Sequence, residues 1–136
     1  MHIHVGYANP TIETSLAMIR YMDVYLGVPS TLIDPDTRRR ELYGKAGCFR
    51  LTEYGFEYRV LSGYFLSDIK TLGWVWEQTI NAIHTFNRNV IFCEGDCRTF
   101  DPEVFLPAQE DVLSAINCNN KECALKIIKE YKINLL

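Results

Sequence analysis

Two short segments carry residue types that could do chemistry together. His2-Ile3-His4-Val5-Gly6-Tyr7 and Gly55-Phe56-Glu57-Tyr58-Arg59 each alternate ionisable and apolar side chains. A period of two is that of a β-strand, so His2 and His4 share one strand face, and Glu57 and Arg59 share one face of another. If these faces converge, a neutral imidazole and a carboxylate form part of a cation site, and the adjacent guanidinium can neutralise a developing oxyanion. The alternative is a pair of edge strands whose polar faces meet water, with Glu57 and Arg59 as a surface ion pair worth less than about 1 kcal/mol.

A second concentration of charge lies between them, in Arg38-Arg39-Arg40 and in Tyr43-Gly44-Lys45-Ala46-Gly47-Cys48-Phe49-Arg50. Forked guanidinium donors, a point-charge lysine and glycines that admit backbone amides all suit phosphate oxygens. The glycine spacing and Lys-Ser/Thr pair of a Walker loop are absent, and a solvated turn is the competing reading. Asp34, Asp36 and Glu53 are further carboxylates, but no spacing places them at the site.

The elements that must position these groups follow from periodicity. After the first strand, Asn9-Pro10 reads as a cap and first helical residue, and Ile12, Leu16, Ile19, Met22 and Leu26 predict a helix over 10–26. Gly27, Pro29 and Asp34-Pro35 end it and open a polar loop that holds the arginine and glycine cluster. Phe56 to Leu61 reads as a strand. Ser67 caps a helix over 67–87, with Ile69, Leu72, Trp76, Ile80, Ile83 and Phe86 as its core stripe, and further helices are expected at 102–117 and 120–132. The fold class is therefore α+β, an antiparallel sheet with helices packed on one face, in a single domain over 1–136.

With 48% apolar residues, the 136-residue chain has material for a sizeable core. A formal charge of −3 and a pI near 5.6 provide no global field for nucleic acid or an anionic membrane. There is no apolar run near the roughly 20 residues that span a bilayer and no signal-like start, so a cytoplasmic protein is expected. Five cysteines, an odd number, read as reduced thiols. A four-thiolate zinc site from Cys93, Cys97, Cys118 and Cys123 is a further reading, without the usual two-residue spacing.

Taken in order, His2-x-His4-x-Gly6-Tyr7, Leu26-Gly27-Val28-Pro29-Ser30, Asp34-x-Asp36-x-Arg38-Arg39, Leu42-Tyr43-Gly44-Lys45-Ala46-Gly47-x-Phe49-Arg50 and Tyr54-Gly55-x-Glu57-Tyr58-Arg59-x-Leu61-Ser62 closely resemble the phage-encoded carboxylate-amine ligases of the type 2 amidoligase family. The resemblance implies part of a glutamine synthetase-like catalytic fold and an ATP-dependent reaction that joins a carboxylate to an amine. It implies that His2 and Glu57 bind Mg²⁺ or Mn²⁺ and that Arg59 stabilises a transferring phosphoryl group. Lys45, Arg50 and the run Arg38, Arg39, Arg40 would contact ATP phosphates or the substrate carboxylate. In that family the His-x-His strand follows an N-terminal portion with further acidic ligands, which this chain is expected to lack. Two functions are therefore expected: an amidoligase completed by another chain or segment, or an inactive shortened relative that binds a host protein. A sheet edge left open makes a homo-oligomer the expected assembly under either. If the protein is phage-encoded, its compartment is the host cytoplasm.

Overall fold

A computed structural model describes residues 1–92 and 101–136. Its sheet has three antiparallel strands in the order β1-β3-β2, from β1 (Ile3–Gly6), β2 (Phe49–Thr52) and β3 (Gly55–Tyr58). The register aligns His4 with Glu57 and Glu57 with Arg50, so the three side chains form a row across one face. Ile3, Val5, Phe56, Tyr58 and Phe49 lie on the other face and turn toward the helices. Central β3 is buried along its whole length.

The first helix outruns its expected end. Thr11, not Asn9, caps α1 (Ile12–Met22), accepting from the Thr14 amide. A π-helical turn, Asp23–Gly27, then leads directly into α2 (Val28–Ile33), so Gly27 and Pro29 do not break the helix. The wider turn removes the conflict that Pro29 brings, since proline has no N–H to donate and its ring crowds the carbonyl four residues back. The expected polar loop also contains structure: α3 (Arg38–Leu42) and strand β2, which forms a tight hairpin with β3.

Asp68, rather than Ser67, begins α4 (Ile69–Phe92): its side chain accepts from the Lys70 amide and its carbonyl from Leu72. Ser67 instead ends the short 3₁₀ turn Gly63–Leu66, donating to the Tyr64 carbonyl. The buried face of α4 carries Trp74, Val75, Gln78, Thr79, Ala82 and Phe86. Half of the expected stripe faces outward, with Ile69 at 78% and Trp76 at 70% exposure, while Ile80 and Ile83 are half-buried and Phe86 is enclosed. A 3₁₀ turn (Pro102–Val104), α5 (Gln109–Asn117) and α6 (Lys121–Glu130) complete the described chain. Helix α1 packs on α4, while α5 and α6 pack on each other and on α2. Tyr21, Met22, Leu26, Phe56, Tyr58, Phe65 and Ile116 are the most enclosed members of the core. No helix among the described residues is long and apolar enough to cross a membrane.

Candidate active site

Glu57 is the centre of the polar sheet face. Its carboxylate is 1% exposed, although it points away from the apolar core, because the side chains around it close over it. His2 Nδ1 lies 2.5 Å from Oε1, Arg59 Nε 3.6 Å from the same oxygen, and Arg50 Nη2 2.6 Å from Oε2. Arg50 is thus the close positive charge at Oε2, which has no other donor among the described residues. Burial opposes ionisation of Glu57, yet Arg50, followed by His2 and Arg59, holds its carboxyl below the ordinary value. His2 shifts downward as well, through burial and the neighbouring positive charges of Arg59 and the N-terminus, against the pull of Glu57. A neutral His2 with its proton on Nδ1 satisfies both neighbours, donating to Glu57 and accepting at Nε2 from Arg59 Nε–H at 3.5 Å.

The arginine run divides. Arg39 reaches the site rim, where it donates to the carbonyls of Val60 at 2.5 Å and Arg59 at 3.3 Å. Its guanidinium and that of Arg59 both lie against the Tyr43 ring, at 4.9 and 5.4 Å. Gly44 makes this approach possible: at φ +67° it adopts the left-handed region, and a β-carbon there would collide with the Arg39 guanidinium and the Val60 carbonyl. Arg40 turns inward and donates to the Ser30 carbonyl at 3.1 Å, anchoring α3 to α2. Arg38 and Lys45 are exposed and make no ion pair among the described residues. Arg50 belongs to β2, with its side chain 64% exposed beyond the Glu57 contact.

Of the predicted residues, the fold thus brings His2, Glu57, Arg59, Arg50 and Arg39 together. Sequence reasoning did not pair Arg50 with Glu57; the signal was the alternation Phe49-x-Leu51 before a two-residue turn. His4, expected on the same face as His2, turns instead to Tyr54, with its Nδ1 2.5 Å from the hydroxyl.

As a cation site the cluster is short of donors. Among the described residues no third His, Cys, Asp or Glu joins His2 and Glu57. Asp34 is buried, with its carboxylate accepting from Ser62 Oγ at 2.5 Å, and Asp36 caps the start of α3. Two guanidiniums already neutralise the Glu57 carboxylate, and a divalent ion takes about six oxygen donors or more. These residues alone therefore do not fit a protein-held Mg²⁺ or Mn²⁺. The arrangement suits an anion: Arg50 and Arg59 are oriented by a buried carboxylate, with N–H groups left over for phosphoryl or carboxylate oxygens. For the thiolate reading, Cys93 and Cys97 lie outside the described residues, and Cys118 and Cys123 are free thiols.

No curated protein and no solved structure matches the chain. A family model described as phage phiEco32-like COOH.NH2 ligase-type 2 matches residues 1–94, which include the whole sheet and every residue of the Glu57 cluster. The chain belongs to the phage phiEco32-like COOH-NH2 ligase type 2 family.

Proposed function

We propose that this chain contributes the phosphoryl-stabilising part of an ATP-dependent carboxylate-amine ligase site in the host cytoplasm. The observation that carries the reading is Glu57, a buried carboxylate that holds Arg50 and Arg59 side by side on the sheet face away from the core. In the first step a substrate carboxylate oxygen attacks the γ-phosphorus of ATP, giving an acyl phosphate and ADP. The amine then attacks the acyl carbon, phosphate leaves, and the nitrogen loses a proton to give the amide. Charge builds on the phosphoryl oxygens in the first step and on the acyl oxygen in the second. Arg59 and Arg50 stabilise both, with Arg39, Lys45 and Arg38 supplying outer contacts to phosphates or to the carboxylate. Glu57 and His2 act as positioning residues for the two arginines. Mg²⁺ would accompany the nucleotide, with its donors coming from phosphates, water or a second polypeptide.

Calorimetric titration of the chain with a non-hydrolysable ATP analogue and Mg²⁺ tests this reading. Saturable binding that disappears in Arg59→Ala and in Glu57→Ala is expected. A folded wild-type chain that releases no heat would overturn it.

A second reading, protein binding without turnover, is favoured by one specific observation. Strand β1 is a sheet edge beside the exposed α4 residues Ile69, Leu72 and Trp76, and these two elements line a common apolar groove. The occupant we assign to it is a second copy of the chain, paired antiparallel along β1; a host protein is the competing occupant.

A further inference from the structure

On the other side of β3 from Glu57 lies a cavity of about 280 Å³ with a different chemistry. Its walls are apolar, formed by Leu16, Ile19, Phe49, Leu106, Val112 and Leu113. One acid, Asp23, lines it from the π-helical turn and is 5% exposed. Tyr58 Oη donates to Asp23 Oδ1 at 2.8 Å, and the Gly47 amide, on a backbone held at φ +70°, lies toward the same carboxylate and favours its ionised form. A carboxylate offers about four lone-pair directions, so these protein groups leave acceptor capacity. Arg20 also lines the cavity, and its positive charge acts on Asp23 as a minor influence, while its guanidinium lies 3.6 Å from Glu103.

We propose that this cavity is a binding site for a small organic ammonium, with the apolar body in the cavity and the N–H donors on Asp23. Shape and chemistry support the assignment independently. An apolar cavity of about 150 Å³ holds a benzene-sized guest, so this one takes roughly ten non-hydrogen atoms. A carboxylate among aliphatic and aromatic walls is costly to desolvate, and burial pushes Asp23 up to about 7. A cationic guest offsets that cost, which a neutral guest of the same shape does not. π-turns inside helices recur where a side chain is presented to a ligand, and this one presents Asp23. The site is separate from the proposed ligase chemistry: Tyr58 and Glu57 project to opposite faces of β3, so an amine held at Asp23 is not delivered to an acyl phosphate at Arg59.

The experiment is calorimetric titration of the full chain at about pH 8, where Asp23 is ionised, with phenethylamine and with 2-phenylethanol, which has the same body and no charge. At least about tenfold tighter binding of the amine is expected, with the preference lost in Asp23→Asn. Leu113→Trp, which fills the cavity from its rim without touching the buried carboxyl, keeps the test decisive if Asp23→Asn does not fold, and should abolish binding of both compounds. Equal affinity for the two compounds, no binding of the amine at millimolar concentration, or binding untouched by Leu113→Trp would each overturn the assignment. Because neither variant alters the Glu57 cluster, nucleotide binding should persist in both, so failure here is distinct from failure of the ligase reading.

Discussion

Two buried carboxylates, Glu57 on one face of β3 and Asp23 against the other, are driven in opposite directions by their surroundings. Glu57 has Arg50 and Arg59 beside it and is held ionised; Asp23 has a phenol, an amide and apolar walls, and rises to about 7. The Asp23 shift makes stability depend on pH. A carboxyl whose native pKa lies above its unfolded value near 3.8 binds its proton more tightly when folded. Its contribution is therefore complete below about pH 4 and is lost as pH rises through about 7. Urea midpoints of the wild type should fall between about pH 5 and about pH 8, and Asp23→Asn should flatten that slope by an amount on the order of a few kcal/mol. An unchanged slope would show that Asp23 is ionised in the native state throughout. The Glu57 environment predicts the reverse response to a lost partner: Arg50→Ala should raise the Glu57 carboxyl titration, read by carbon NMR, because Arg50 is the strongest influence holding it down. The convergence of His2, Glu57 and Arg59 was legible because a strict alternation of polar and apolar residues leaves one arrangement of faces. Asp23 was not, although it falls seven residues after Leu16 on the apolar stripe; an acid among hydrophobic residues is invisible to a count of matches to a helical period.

Among the elements, the lesson of α4 is that a helix can carry two apolar stripes and that periodicity does not say which one the core takes. Ile69, Leu72, Trp76, Ile80, Ile83 and Phe86 keep helical spacing, yet of these only Phe86 is fully enclosed, and Trp74, Val75 and Ala82 on the adjoining face are buried instead. The decision is tertiary: α1 and the π-helical turn pack against that second face. Sequence punctuation failed in a similar way at Pro29, where a π-turn absorbed a residue that ordinarily ends a helix, and at Ser67, where a neighbouring aspartate took the cap. The cap assignment is directly testable. Asp68→Ala should cost about 1 kcal/mol, seen as a lower melting temperature, while Ser67→Ala should cost less than about 0.5 kcal/mol because its hydroxyl only closes an exposed 3₁₀ turn. Comparable losses in the two variants would contradict the assignment. Gly44→Ala should cost more than either, because it adds a left-handed penalty to a collision with Arg39 and Val60.

At the scale of the whole molecule, the α+β class and the helix-covered sheet were legible because strand alternation and helical stripes remain distinct over this length, whereas the pairing order was not, since β2 lay hidden in a charged segment. That order decides what the molecule leaves open. With β3 in the centre, β1 has one side unpaired among the described residues, and the hydrogen bond from the Tyr7 amide to the Tyr54 carbonyl fixes the pattern: Ile3, Val5 and Tyr7 bond toward β3, so His4 and Gly6 present their backbone groups outward. The strand carries no lysine, glutamate or proline that would blunt the edge, and an antiparallel β1 pair is self-complementary about a two-fold axis. Four residues of strand pairing are too little for a stable dimer, for which roughly 1,200 Å² of buried surface is needed. The exposed α4 stripe beside the edge is what can supply the remainder. Sedimentation velocity over a concentration series should therefore show a monomer–dimer equilibrium. Trp76→Glu should weaken it by at least about tenfold, or about 1.4 kcal/mol. His4→Pro, which removes an outward amide without breaking a β1–β3 ladder bond, should weaken it similarly. The two variants act on different elements, so loss in both places the interface along their shared groove; loss in Trp76→Glu alone would mean that helices, not strands, join the copies, and a monomeric wild type would leave the groove to a host protein.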